Sequence, residues 1–208
     1  MQNLKSEIIY QDSDLILVDK SAGVNSDDFP KRVHRLDKNT SGILLIAKND
    51  KTLEFLQNQF KERKVEKKYL ALVVGNLKKK QGSIETLIGR SPGSRKKQKI
   101  YFPHQPDSQG KREALTEYKV LQRLKNYDLI EARPKTGRKH QIRAHFAYLG
   151  HPLAGDKLYG FKNQSSPEGL KRHFLHASYI KITLPNGRQK EFTSSLPKEL
   201  KKTLENLR

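Results

Sequence analysis

The chain has 208 residues, of which 42 are Lys or Arg and 22 are Asp or Glu, giving a formal net charge of +20. Its length holds one compact core or a core plus an appendage, and 34% hydrophobic residues with eight Phe and eight Tyr suffice to build that core. With no Cys, disulfide scaffolds, zinc ribbons, Fe–S sites and thiol nucleophiles are excluded. Short apolar and β-branched runs predict strands over Glu7 to Tyr10 and Asp14 to Asp19, then Ile43 to Lys48 and Tyr69 to Val74. Between the last two, Leu53, Leu56 and Phe60 recur at helical spacing behind a capping residue at Asn49 or Asp50, predicting a helix over Lys51 to Lys64. Leu115 to Arg123 and Tyr127 to Arg133 read as two strands joined at Lys125-Asn126. Gly137 to Leu149 reads as a second helix ending at Gly150. Tyr179 to Leu184 and Gln189 to Phe192 flank Pro185-Asn186-Gly187 as a hairpin, and a short helix with Leu200, Leu204 and Leu207 follows Pro197. Many hairpins with few helices predict an α+β fold on a mainly antiparallel mixed sheet, as one domain over residues 1–208.

The longest apolar runs, Ile43 to Ala47 and Leu70 to Val74, are far short of a membrane span, and the N-terminus shows no apolar leader core. A cytoplasmic protein without a membrane partner is therefore expected. A net +20 costs self-repulsion in a folded chain, which points to a polyanionic partner, nucleic acid before a merely solubilising surface. Arg90 to Arg112 concentrates this charge: Arg90, Arg95, Lys96, Lys97, Lys99, Lys111 and Arg112 stand against Asp107 alone, with three Pro, two Gly, Tyr101 and Phe102. That mixture is expected to be a mobile loop that touches phosphates and stacks on bases, or else a disordered surface insertion.

Two clusters carry candidate chemistry. His34-Arg35-Leu36-Asp37-Lys38-Asn39-Thr40-Ser41-Gly42 lies in a loop before an apolar strand. Asp37, between Arg35 and Lys38, should stay ionised and could serve as nucleophile or general base. From spacing alone, an Asp before Thr-Ser-Gly is more often a turn or capping residue. The second cluster is Thr136-Gly137-Arg138-Lys139-His140-Gln141-Ile142-Arg143-Ala144-His145. Arg138, Lys139 and His140 in a first helical turn would oppose the helix dipole, a cost that suggests an anion there, either RNA phosphate or a carboxylate such as Asp37. Arg143 follows the apolar Ile142 by one residue and can reach inward from the core border. His140 and His145 are five apart with no Glu between them, so no metal site is expected. No dinucleotide or phosphate-cradling glycine motif is present, so no cofactor is expected either.

In order and spacing these segments resemble the RluA-type family of RNA pseudouridine synthases. The resemblance runs through Asp19-Lys20-Ser21-Ala22-Gly23, His34 to Gly42 followed by Ala47-Lys48, and Lys67-Lys68-Tyr69-Leu70-Ala71. It continues through Gly137 to His145, Gly150-His151-Pro152-Leu153, Gly155-Asp156-Lys157-Leu158-Tyr159-Gly160, Leu175-His176-Ala177 and Leu196-Pro197. It implies isomerisation of uridine to pseudouridine with Asp37 acting at the ribose, Tyr69 stacking on the base and Arg143 pairing with the aspartate. Ile142 would lie beneath the pocket. The target must be extruded from folded RNA, with Arg35 filling the gap and the basic loop at about 90–112 assisting. RNA contacts are expected from His34, Arg138, Lys139, His140, Lys96 and Lys97.

Ser21 stands where the family usually has Pro, and Gly23 to His34 is short and acidic, which bears on RNA contacts. The chain is read as lacking the small N-terminal RNA-binding domain of many relatives. The resemblance then implies a stem-loop of tRNA or rRNA as substrate, no DNA, and a monomer. The rivals are a non-catalytic RNA-binding protein and a metal-independent nuclease or glycosidase. The second would normally show a His pair or another carboxylate near Asp37.

Overall fold

The structure is a computed structural model that describes residues 6–164 and 166–207. The first five residues, part of the leader reading above, lie outside that range. In chain order the strands are β1 (Ser6–Gln11), β2 (Leu15–Lys20), β3 (Ser41–Ala47), β4 (Glu66–Val74), β5 (Gln81–Ser91), β6 (Ser94–Tyr101), β7 (Arg112–Leu124), β8 (Tyr127–Pro134), β9 (Leu175–Thr183) and β10 (Gln189–Thr193). The helices are α1 (Asp50–Lys61), α2 (Gln141–Tyr148) and α3 (Lys198–Glu205). This is the α+β fold with a mixed sheet that the hairpin pattern predicts. The chain sorts into two compact units, one formed by residues as far as Tyr69 with His176–Pro197, the other by Leu70–Leu175 with the residues from Lys198 onward.

In the first unit the strand order is β1-β2-β3-β9-β4, with β10 also on β9. β1 with β2, β2 with β3 and β9 with β10 run antiparallel, whereas β3 meets β9 in parallel at Ser41–His176 and Gly42–Ala177. β2 reads as a continuous apolar run because both of its faces are covered. Leu15 and Leu17 join Ile43, Leu45, Leu56, Ile180, Ile182 and Phe192, and Ile16 and Val18 pack with Phe29, Leu44 and Ile46. α1 starts at Asn49, whose side chain accepts the Thr52 amide at 2.8 Å, and buries Leu56. At Gly42 (φ +113°) a Cβ would stand 2.3 Å from the Ala177 carbonyl oxygen. Only glycine allows β3 and β9 to close there.

In the second unit the order is β4-β8-β7-β5-β6, and β5–β6, β5–β7 and β7–β8 are antiparallel. α2 buries Ile142, Ala144 and Phe146, the last with its ring edge-on to Tyr118. α3 buries Leu200 and Leu204.

Two expectations are corrected here. Arg90 to Arg112 is not a loop throughout. Ser94–Tyr101 is strand β6, joined to β5 by Pro92-Gly93 alone, and only Phe102 to Lys111 remain as a connection. The basic residues hid the strand because β6 is an edge whose Arg95, Lys96, Lys97 and Lys99 face solvent while Tyr101 is buried. Nor do Arg138, Lys139 and His140 form the first turn of α2. They precede it, and His140 is its N-cap in the left-handed region (φ +56°). The dipole cost is thereby lessened, because Arg138 and the exposed Lys139 stay out of the helix. Among the described residues no helix is long and apolar enough to cross a membrane.

Candidate active site

In the first unit, the segment His34 to Thr40 has no ladder of its own and is held by two buried polar side chains. Lys20, fully buried at the end of β2, donates through Nζ to the carbonyls of Ser21 (3.1 Å), Val24 (2.9 Å) and Lys38 (3.2 Å). Those three carbonyls offset the cost of taking an ammonium out of water. Ser26 Oγ accepts the Leu36 amide and donates to the Leu36 carbonyl, both at 2.9 Å. The Gly23 amide donates to Lys38 O (2.8 Å), and the Thr40 amide closes a turn on Asp37 O (3.0 Å). Leu36 is buried beneath, which leaves the half-buried Asp37 carboxylate presented from a pinned backbone.

Asp37 acts electrostatically on Tyr69 of β4. Burial first, and then the Asp37 charge, push the Tyr69 phenol above its ordinary range, so Tyr69 is neutral at physiological pH. His34 lies flat on Phe60, with centroids 4.9 Å apart and planes 20° apart, and its Nε2 accepts the Leu45 amide at 3.2 Å. Burial, with the charge of Lys67, lowers its pKa to about 3. The His34 ring is therefore neutral at physiological pH. Burial also lowers Lys67 to about 8, with its ammonium over the Phe60 ring at 5.5 Å. Arg35 is exposed beside this group.

In the second unit, Gln141 organises the approach to α2. Its Oε1 accepts Thr136 Oγ1 (2.7 Å) and the Arg138 amide (2.9 Å), while its Nε2 donates to Leu115 O and Thr116 Oγ1, both at 3.0 Å. Arg138 Nε donates to Glu113 O at 2.8 Å, and Lys139 is exposed. Ile142 and Arg143 are both buried. The Arg143 guanidinium is forked onto Asp156, Nε to Oδ2 at 2.7 Å and Nη2 to Oδ1 at 2.8 Å. Burial raises the Asp156 pKa, but the Arg143 bond and charge outweigh it and hold the carboxylate below its usual range. Asp156 Oδ1 also accepts the amides of Leu158 and Tyr159. His145, fully buried, sits between Thr86 Oγ1 (3.0 Å) and Thr116 Oγ1 (2.8 Å), and burial lowers its pKa to about 4.

Of the residues singled out in the sequence, Asp37, Tyr69, His34 and Arg35 thus fall in the first unit, with the charge of Asp37 felt at Tyr69. Arg143, Ile142, Arg138, Lys139, His140, Lys96 and Lys97 fall in the second, the last two exposed on β6. Two functional neighbours were missed. Asp156 holds Arg143, and its signal was its place in Gly155 to Gly160. Lys20 holds the Asp37 segment, and its signal was a charged residue inside an apolar strand. Among the described residues no group of three or more His, Asp or Glu is placed to hold a metal ion.

Residues 20–148 match the family model described as RNA pseudouridylate synthase. The chain belongs to that family. It is 37% identical to the ribosomal large subunit pseudouridine synthase D of Borreliella burgdorferi, covering 94% of this chain and 67% of that protein. An uncharacterized RNA pseudouridine synthase of Aquifex aeolicus is 40% identical over 81% of this chain and 60% of its own length. Against another from Chloroflexus aurantiacus the match covers 54% of the relative's length, so the chain spans roughly half to two thirds of these proteins. In three dimensions it resembles human RNA Pseudouridylate Synthase Domain Containing 1 with a TM-score of 0.82 and 29% identity, over 95% of this chain and 87% of that one. The family's matched segment contains Asp37, Tyr69 and Arg143.

Proposed function

We propose that this chain is an RNA pseudouridine synthase acting on a uridine in an rRNA stem-loop. The observation that carries the reading is the Asp37 segment: a carboxylate on a backbone fixed by Lys20 and Ser26, with its charge felt at a neutral tyrosine. The rRNA assignment draws on the names of the relatives from Borreliella burgdorferi and Vibrio vulnificus, both ribosomal large subunit synthases. A tRNA stem-loop is the alternative substrate.

In the reaction the bond from ribose C1′ to uracil N1 breaks, the base turns, and a C1′–C5 bond forms. The C5 proton goes to water and N1 ends protonated. Asp37 acts at the ribose, where an ionised carboxylate stabilises a carbon losing its glycosidic partner. Tyr69 offers a flat uncharged ring on which the freed uracil can stack. Arg143 supplies a fixed positive charge in the same reaction, kept in orientation by Asp156. Arg35 fills the gap left by the extruded base. His34, Arg138, Lys139 and His140 contact RNA, as do Lys96 and Lys97 on the hairpin that replaces the expected mobile loop. The protein acts as a monomer in the cytoplasm, on RNA and not DNA.

RNA tritiated at uracil C5 tests this. Wild-type protein is expected to release label from large-subunit rRNA transcripts without strand cleavage, and Asp37→Asn none. Release from tRNA alone would reassign the substrate. Binding without release from any RNA would replace the enzyme with a binding protein, and cleavage would make it a nuclease.

A further inference from the structure

Tyr159 has no part in the chemistry assigned above, yet several pieces of the second unit meet on it. Its hydroxyl accepts the backbone amide of Gln98, on β6, at 2.7 Å and lies 3.1 Å from Nδ1 of His140. Its ring stands edge-on to the His140 ring at 88° and holds the Arg143 guanidinium carbon 5.1 Å from its centroid. Its amide donates at 3.1 Å to Asp156 Oδ1, the oxygen that also accepts Arg143 Nη2.

The turn that carries this tyrosine has little room to relax. At Gly155 (φ +72°) a Cβ would meet Arg172 O at 2.3 Å, and at Gly160 one would meet Asp156 O at 2.5 Å. Two glycines thus let backbone pass against backbone on either side of Asp156 and Tyr159. At the other end of the contact is an edge strand. An edge amide ordinarily faces water, but that of Gln98 ends on a phenol. Gln98 also follows the exposed Lys96 and Lys97, so an anion gripped by those lysines acts on the strand next to the Tyr159 bond. A phenylalanine would serve the Arg143 contact as well as a tyrosine does. The hydroxyl is what meets Gln98 and His140.

We propose that Tyr159 is a positioning residue that ties the basic β5–β6 hairpin to Arg143, so that RNA held by Lys96 and Lys97 sets the guanidinium. The identity of what the hairpin grips rests on the RNA-modifying reading. The tie between hairpin and arginine does not.

Tyr159→Phe keeps the ring beneath Arg143 and removes the hydroxyl. Single-turnover tritium release is expected to slow about tenfold, a coupling of ordinary size, while RNA affinity changes less than about twofold. Replacing both Lys96 and Lys97 by Ala should slow the chemical step in the wild type and not slow it further in Tyr159→Phe. Additive losses would overturn the proposal. Gln98→Pro removes the amide N–H together with the Gln98 side chain, at an edge position where proline is tolerated. Measured against Gln98→Ala, which keeps the N–H, it is expected to reproduce the Tyr159→Phe effect should that variant fold poorly. A readout independent of activity is the 15N-resolved Nε–H signal of Arg143. On adding an rRNA stem-loop it should shift in the wild type and stay in place in Tyr159→Phe. A wild type that releases no tritium refutes the function proposed above, and this signal still decides the tie. A shift that survives in Tyr159→Phe, or no shift in the wild type, refutes it.

Discussion

Single buried ionisable side chains set where this protein is stable. His145 is fully buried between two threonine hydroxyls, and its pKa falls to about 4 from an ordinary 6.5. Between those values the unfolded chain binds a proton that the folded chain refuses, so stability is complete above pH 6.5 and falls as the pH drops toward 4. The shift corresponds to about 3 kcal/mol. Chemical denaturation at pH 7.5 and pH 4.5 should show the wild type losing more stability than His145→Gln, which has no proton to gain. Asp156 is the second case. Asp156→Asn keeps the shape and withdraws the paired charge from a guanidinium that is 8% exposed, at an expected cost of about 3 kcal/mol by urea denaturation. The double variant Asp156→Asn with Arg143→Met should recover part of that loss, because no buried charge is then left without its partner. The sequence displayed Arg143 and Asp156 in separate motifs. It could not show that they bond, because a pairing across 13 residues depends on the turn between them.

At the scale of elements, the close passage of β3 past β9 leaves no room for a single methyl. Gly42→Ala meets backbone, not a side chain that can move, at φ +113°. A loss of about 3 kcal/mol is expected, and pseudouridylation should fall at temperatures where the wild type is intact, because Gly42 ends the segment that presents Asp37. Activity and thermal unfolding measured together check this. Unchanged stability in Gly42→Ala would mean that the β3–β9 contact yields easily. Most elements were legible from their apolar residues: Leu53, Leu56 and Phe60 recur at helical spacing in α1, and an unbroken apolar run marks β2, whose two faces are both covered. β6 was not legible, because an edge strand needs few apolar residues. Seven cations among polar neighbours resemble a loop until Tyr101 is seen to be buried. The start of α2 was placed four residues early, since nothing in Arg138-Lys139-His140 announces a left-handed residue at His140.

For the molecule as a whole, the net +20 is the property that the sequence states most directly and the fold distributes. Some cations are consumed in pairs within the protein: Arg143 on Asp156, Lys135 on Glu117, Lys181 on Glu191. Lys20 is spent on three carbonyls. Lys96, Lys97 and Lys139 remain exposed, where an RNA phosphate can displace their counterions. Binding that neutralises phosphates releases condensed ions, so log Kd should rise linearly with log salt. Six to ten contacts would give a slope of about 5 to 9 for a helical stem. Replacing Lys96 and Lys97 together by Ala should lower that slope by about two and weaken binding to every RNA sequence alike, because phosphate contacts carry no base information. Fluorescence anisotropy with a labelled rRNA stem-loop, titrated at several salt concentrations, measures both quantities. An affinity nearly independent of salt would mean that the charge serves solubility. An unchanged slope in the double variant would move the RNA contact away from the β5–β6 hairpin and remove the mechanical input that the Tyr159 tie requires.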